Sequence, residues 1–168
     1  MINPVFLNPD QIAAVGKTSL RKYKRPPLVY RCYCENVLHC SGRVLDYGCG
    51  RNPVYVPVHA GMELVRYDIC YFPERPKGEF DVILVSNVLN VLPNSKSVVQ
   101  TIGDIAGLLK PDGWVFVNFP SSPRKGRLPD GTVIGHDWVE ILLKLTFGEV
   151  KRMQEFGTKS SPVFICTK

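Results

Sequence analysis

An acid and two glycines follow a short apolar run, and these residue types suit the binding of a small ligand. Residues 43–45 predict a buried strand, which is followed by Asp46 and by a turn that contains Gly48 and Gly50. Glycine has no Cβ, so the backbone can turn sharply there and approach a ligand closely. In an open α/β sheet such a turn lies at the carboxyl end of a strand, where ligands bind.

A second acid, Asp68, ends a second predicted strand over residues 62–68. An acid at this position of a doubly wound sheet is suited to accept hydrogen bonds from the ribose hydroxyls of a nucleoside. The alternative is a polar residue that only starts the turn after the strand. Ile69, Tyr71 and Phe72 follow, and all three are candidates to flank a flat ring.

Three polar residues lie at the ends of further predicted elements: two asparagines follow a strand, and a histidine starts a helix. Residues 82–85 form a continuous apolar run, as expected for a parallel strand that is covered on both faces. Asn87 and Asn90 follow it, and their amides could orient a substrate hydrogen or only cap the next turn. His136 starts a helix predicted to reach residue 147; it could act as a base near pH 7 or lie on the surface.

Three other kinds of site are disfavoured. A dinucleotide fingerprint fails because its third glycine falls on Pro53, and a phosphate-binding loop ending at residues 16–18 fails because Gln11 replaces its first glycine. Four metal-ligand types cluster in one segment: Cys32, Cys34, His39 and Cys40. On a helix Cys34 would point away from Cys32, so we expect reduced thiols there and no metal.

The segment from Asp46 to Gly50 resembles the first motif of class I S-adenosylmethionine (SAM) methyltransferases. Residues 80–85 resemble that family's fourth strand and residues 108–117 its fifth strand with the preceding turn, and the likeness runs from about residue 37 to the C-terminus. The resemblance implies SAM as the cofactor, with the carboxylate of Asp46 holding the ammonium of the methionine moiety. The predicted cofactor-binding residues are Asp46, Tyr47, Gly48, Cys49, Gly50, Asp68, Ile69, Asn87 and Val88.

A narrower likeness concerns methyltransferases associated with DNA phosphorothioation. Residues 46–51 and 88–91 look like the corresponding segments of those proteins. The chain is shorter, and Asn52 and Pro53 depart from the glycine that those proteins carry after Arg51.

The predicted fold class is α/β, with one doubly wound, mostly parallel sheet of the Rossmann-like methyltransferase type. Residues 69–79 cannot hold a helix, a strand and a second helix, so we expect the family's third strand to be absent. Residues 149–156 and 162–167 predict a C-terminal antiparallel hairpin. The inner face of the helix at 136–147 is predicted to consist of Trp138, Ile141, Leu142 and Leu145.

Length and charge bound the remaining predictions. The 168 residues predict one compact domain over residues 28–168, preceded by a basic arm over 1–27. No apolar run approaches the roughly 18 residues of a membrane span, and no signal-peptide pattern is visible, so we expect a cytoplasmic protein. The net charge of +6 favours a polyanionic partner. Candidate substrate-binding residues are Arg21, Lys24 and Arg124.

These observations favour a SAM-dependent methyltransferase that acts on a nucleic acid or another anionic acceptor. In-line methyl transfer chiefly requires alignment of the nucleophile and exclusion of water. The candidate catalytic residues are Asn87, Asn90 and His136. A small-molecule or protein methyltransferase is the alternative enzyme, and a catalytically silent SAM-binding module is the alternative outside catalysis.

Overall fold

The structure is a computed structural model that describes residues 7–18, 26–36, 42–51, 61–120, 127–158 and 161–168. Its elements in chain order are α1 (Pro9–Lys17), α2 (Leu28–Asn36), β1 (Gly42–Tyr47), β2 (Met62–Tyr67), β3 (Phe80–Ser86), a 3-10 turn (Leu89–Val91), α3 (Ser95–Leu108), β4 (Leu109–Asn118), α4 (His136–Thr146), β5 (Glu149–Thr158) and β6 (Ser161–Thr167). The two prolines and several β-branched residues of segment 51–58 predict a short or irregular turn of helix after Gly50, and residues 52–60 lie outside the described part of the chain.

The strands form one six-stranded sheet in the order β2-β1-β3-β4-β6-β5. β1 pairs in parallel with both β2 and β3, and β3 pairs in parallel with β4. β6 runs antiparallel to β4 and to β5, which confirms the predicted C-terminal hairpin. The chain leaves β1 toward β2 on one side and returns to β3 on the other, so the carboxyl end of β1 is a topological switch point, where ligands bind in such sheets.

The predicted loss of the third family strand is confirmed. Residues 68–79 are fully described and contain no strand or helix, only an isolated bridge between Asp68 and Phe72. β2 is therefore the outermost strand of the sheet on this side. The start of β4 differs from the sequence-based expectation, which placed a turn at residues 110–113 before the strand. The structure pairs Leu109 with Phe80 ahead of a register shift, so that turn forms a bulge within β4.

Helices cover both faces of the sheet, and the two faces have separate cores. α2 packs Val29 and Tyr33 against one face, beside Val44 and Phe116. α3 and α4 cover the other face, together with Leu7 from the segment before α1. Asn94 caps α3 as predicted, and its Oδ1 accepts from the amide of Ser97 at 2.9 Å.

Of the four residues predicted for the inner face of α4, three are exposed and one, Leu142, is partly buried against the core. Its buried residues are His136, Val139 and Leu143, whereas Trp138, Ile141 and Leu145 are 36%, 58% and 79% exposed. Both sets repeat at helical spacing, so periodicity alone could not choose between them. The ring centroids of His136 and Phe119 lie 4.8 Å apart. With His136 packed inward in this way, Val139 and Leu143 on the same helix face contact the core.

On α2, Cys32 is buried and Cys34 is half-buried. His39 and Cys40 lie outside the described residues. In the part of the chain that the structure describes, no group of three or more His, Cys, Asp or Glu side chains is arranged to hold a metal ion. Over the same residues, no helix has the length and apolar composition needed to cross a membrane.

Candidate cofactor site

A cavity of about 470 Å³ lies at the carboxyl ends of β1, β2 and β3. Its wall consists of the turn after β1, the end of β2 with the following loop, the loop after β3, and the N-terminal helix. The lining residues from the strand ends and their loops include Tyr47, Gly48, Gly50, Tyr67, Asp68, Ile69, Tyr71, Ser86, Asn87, Val88 and Asn90. Seven of the nine predicted cofactor-binding residues therefore lie in this cavity wall, and Asp46 and Cys49 do not.

The turn after β1 requires its glycines. Gly48 and Gly50 have φ angles of +74° and +72°, in the left-handed region that residues with a Cβ rarely adopt. A Cβ on Gly48 would stand closer to Cγ2 of Val88 than non-bonded atoms approach. The amides of Gly48 and Cys49 donate to the carbonyl of Tyr67 at 2.7 and 3.1 Å, so the turn is fastened to the end of β2.

Asp68 joins this turn to the loop that follows β2. Its Oδ2 accepts from the amide of Gly50 at 2.9 Å, and its Oδ1 accepts from the amides of Cys70 and Tyr71 at 2.9 and 3.1 Å. The side chain is half-buried and lines the cavity. A carboxylate has about four lone-pair positions, so Asp68 retains capacity for a ligand hydroxyl beside its three backbone donors.

Asp46 does not line the cavity. It is 1% exposed, and its Oδ1 accepts from the hydroxyl of Tyr30 on α2 at 2.6 Å. Oδ2 is also buried and has no hydrogen-bond partner among the described residues. Burial raises the pKa of Asp46 to about 6, and the hydrogen bond from Tyr30 and the charge of Arg66 oppose that rise. The structure thus separates Asp46 from the predicted residues that it brings together.

Cys49 is the second predicted residue whose side chain lies outside the cavity wall. Its thiol is buried, and burial together with the charges of Asp46 and Asp68 raises its pKa to about 12. A thiol in this state is protonated at neutral pH and is a poor nucleophile. Cys49 therefore contributes its backbone amide to the turn.

A buried polar network supports Tyr47, and the sequence reasoning missed it. The Tyr47 hydroxyl donates to Oδ2 of Asp104 on α3 at 2.9 Å, and the guanidinium of Arg75 pairs with the other oxygen of Asp104. Tyr47 packs edge-to-face on Tyr67 with ring centroids 5.2 Å apart. The signal in the sequence was an acid between Ile102 and Ile105, since an acid within an apolar helix stripe must find a partner.

The loop after β3 brings Asn87, Val88 and Asn90 to the cavity, as predicted. Asn87 has a φ of +56°, and its backbone N–H donates to the backbone carbonyl of Asn118 at 2.8 Å. Its side-chain nitrogen donates to the hydroxyl of Ser86 at 3.2 Å. Oδ1 of Asn90 is buried and has no hydrogen-bond partner within the described segments.

The remaining predicted residues are His136, which the structure describes, and three basic residues, which it does not. His136 does not line the cavity; its Nε2 lies 3.0 Å from the carbonyl of Phe119, and burial lowers its pKa. Arg21, Lys24 and Arg124 lie outside the described residues, so their substrate-binding role stays a prediction. The sequence reasoning missed that the N-terminal segment reaches the cavity. Its contributions are Leu7, Val15, Gly16 and Thr18.

Residues 23–146 match the family model described as a methyltransferase domain. No curated protein matches the sequence. Among solved structures, an O-methyltransferase family protein from Burkholderia thailandensis has a TM-score of 0.55 at 12% identity, over 95% of this chain and 55% of that chain. The 16S rRNA methyltransferase RsmC of T. thermophilus, solved with AdoMet and guanosine, has a TM-score of 0.57 at 18% identity, over 89% and 45%.

A third solved structure is matched over nearly its full length. The N-methyltransferase NodS from Bradyrhizobium japonicum, solved with S-adenosyl-l-homocysteine (SAH), has a TM-score of 0.56 at 15% identity, over 94% of each chain. At these identities the likeness shows a shared fold. The chain spans only about half the length of the Burkholderia and T. thermophilus proteins.

Proposed function

We propose, from the premise that this chain belongs to the methyltransferase domain family, that it transfers a methyl group from SAM to a nucleic acid. The observation that carries the cofactor part is the cavity at the switch point of the sheet. Its volume of about 470 Å³ lies within the roughly 300–1,000 Å³ of small-molecule sites. Its wall includes the polar residues Asp68, Asn87 and Asn90, which suits a site for a polar ligand.

The residues that would hold SAM divide into polar and apolar groups. Asp68 has an accepting position left for the ribose hydroxyls, and Ile69 with Val88 supplies apolar wall. The turn at Gly48 and Gly50 allows close approach of the backbone. In this proposal Asp46 and Cys49 act only by shaping that turn, since their side chains do not line the cavity.

When bound, SAM supplies a methyl group that its sulfonium has already activated. The chain's own task is then to align the acceptor and exclude water. Asn87 and Asn90 lie in the cavity wall, and in this proposal their side-chain amides orient an N–H group of the acceptor. The described lining contains no His, Lys, Cys or Glu, which favours a neutral nitrogen nucleophile that needs no strong base. The base role of His136 remains a prediction.

Charge supports a nucleic acid as the acceptor. The chain carries a net charge of +6. Lys17 and Arg51 are exposed beside residues that line the cavity, and Arg21 and Lys24 follow Lys17 in sequence. Cationic side chains around a cavity mouth attract phosphate backbones, and the attraction weakens as salt rises. RsmC, with the same fold, acts on an RNA.

The test is a methyl-transfer screen with labelled SAM across RNA, DNA, protein and small-molecule extracts, preceded by calorimetric titration with SAH. We expect SAH to bind and label to enter nucleic acid, with transfer that falls at high salt and in an R21A/K24A variant. Label in protein or small molecules would identify the alternative enzyme. Binding of SAH without any transfer would identify a silent SAM-binding module, and no binding would overturn the proposal.

A further inference from the structure

The wall of the cavity next to β2 is formed by α1, at the side where the sheet lacks a strand. Val15 and Gly16 of α1 line the cavity together with the loop residues Ile69 and Tyr71. Leu7, immediately before the helix, is 5% exposed and belongs to the main core. The N-terminal helix is thus packed into the domain at the cavity.

α1 is held in this place by the loop after Asp68. The hydroxyl of Tyr71 donates to the carbonyl of Gly16 at 2.7 Å, and the thiol of Cys70 donates to the carbonyl of Ile12 at 3.0 Å. Gly16 is buried, and a Cβ there would lie 3.1 Å from Sγ of Cys70 and 3.5 Å from the Tyr71 hydroxyl. The absence of a side chain at Gly16 therefore permits this close docking.

The same loop is tied to the glycine turn. Arg51, directly after Gly50, donates from its guanidinium to the hydroxyl of Tyr71 at 3.0 Å and lies over the Tyr71 ring at 5.2 Å. Asp68 accepts from the amides of both Gly50 and Tyr71. Hydrogen bonds therefore link the glycine turn to the loop and the loop to α1. The hydroxyl of Tyr71 takes part in both links, since it accepts from Arg51 and donates to Gly16.

We propose that α1 is the outer wall of the nucleoside half of the cofactor site, in place of the missing strand, and that Tyr71 is the positioning residue that docks it. The proposal rests on the proposed function, because the nucleoside is that of SAM. The wall is apolar at Val15 and Ile69, as a purine face requires, and it includes Asp68. Undocking of α1 should therefore weaken the binding of every ligand that carries the nucleoside.

The test is Tyr71→Phe, which keeps the ring and removes the hydroxyl that Gly16 and Arg51 share. The matched control is Tyr33→Phe, which removes a hydroxyl that contacts Met62 on the opposite face of the sheet. Calorimetry with SAH and with adenosine should show about a three- to tenfold loss for Tyr71→Phe with both ligands, the size expected for one or two hydrogen bonds. The control should bind both ligands as the unmodified protein does.

Alkylation of Cys70, followed by peptide mass spectrometry, reports the docking of α1 directly. SAH should slow alkylation of Cys70 in the unmodified protein, and Tyr71→Phe or Gly16→Ala should speed it several-fold, while Cys34 on α2 is unaffected. Equal affinities of Tyr71→Phe and unmodified protein, or a loss confined to SAH and absent for adenosine, would overturn the inference alone. Failure of the unmodified protein to bind SAH would instead remove the proposed function and this subsite with it.

Discussion

Asp46 and Asp68 follow neighbouring parallel strands, yet their carboxyl groups have opposite surroundings. Asp46 is almost completely buried against α2, with one oxygen bonded to Tyr30 and the other without a described partner. Asp68 is half-buried in the cavity wall, and both of its oxygens accept from backbone amides. The two acids thus have different surroundings: Asp46 lies behind the turn, and Asp68 lines the cavity.

The difference arises from where each acid stands relative to the last paired residue of its strand. Tyr47 and Tyr67 pair in register, and both line the cavity. Asp46 precedes Tyr47 within β1, so the two-residue period of a strand points it to the other face. Asp68 follows Tyr67 beyond the end of β2, where the turn closed by its bridge to Phe72 redirects it. An acid reaches this cavity only after the chain has left the strand.

The largest effect is expected for Asp68→Ala. The variant loses three backbone amides as partners and with them the link between the glycine turn and the loop. In the proposed site the carboxylate also accepts from the two ribose hydroxyls, and two such bonds at about 1.5–3 kcal/mol each correspond to at least about a hundredfold loss of SAH affinity. Calorimetry measures this, with circular dichroism melting to show that the variant is folded. Binding within about threefold of the unmodified protein would mean that Asp68 is only a turn residue.

Gly48→Ala should destabilise the turn between the two acids by about 3 kcal/mol, from the left-handed φ and the contact with Val88 together. Gly61→Ala is the matched control, because Gly61 has a φ of +91° and no atom of the described residues lies within 4 Å of the position that a methyl group would take. It should cost only the conformational part, about 1–2 kcal/mol. Urea unfolding measures both, and equal losses would show that the tight contact at Val88 relaxes freely.

Asp46→Asn should stabilise the fold at pH 8 and leave SAH affinity within about threefold. The folded-state pKa of Asp46, about 6, lies above its ordinary 3.8, so the folded protein binds the proton more tightly than the unfolded chain. Stability is therefore highest below about pH 4 and falls as pH rises from there through about 6. The amide does not ionise, so the variant should gain about 2 kcal/mol over the unmodified protein at about pH 8 and almost nothing at about pH 4.

Urea unfolding at the two pH values measures that gain. A pH-independent difference would show that Asp46 does not carry the titration. A large loss of SAH affinity in a stable Asp46→Asn variant would restore the ammonium-binding role that the motif implies.

Much of the sheet could be predicted from the sequence, because apolar runs indicate buried strands and glycines indicate turns that need a left-handed backbone. The strand at 43–47, its glycine turn and the loss of the third strand followed from such features and from chain length between Asp68 and Phe80. The direction of the Asp46 side chain could not be predicted. It depends on whether the strand ends before or after Asp46, and the motif does not determine where the strand ends. The face of α4 was not readable either, because two apolar stripes competed.

The contribution of α1 could not be predicted for a different reason. Asn8 and Gln11 form a capping box, which accounts for the helix start. Its docking depends on contacts between residues far apart in sequence, such as Tyr71 with Gly16. Such contacts leave no periodic pattern, and Gly16 alone is equally consistent with a helix end.

The smallest effect is expected for Tyr30→Phe, which removes the hydroxyl that donates to the buried acid. The hydrogen bond from Tyr30 lowers the pKa of Asp46 against the effect of burial, so its loss should raise that pKa further. The charged carboxylate then lacks a donor, and the variant should lose about 1 kcal/mol at about pH 8. At about pH 4 the carboxyl is neutral in both proteins, so the loss should be smaller. Urea unfolding at the two pH values tests this, and SAH affinity should not change, because Tyr30 lies behind the turn. A loss that is larger under the acidic condition would mean that Tyr30 stabilises the neutral form of Asp46.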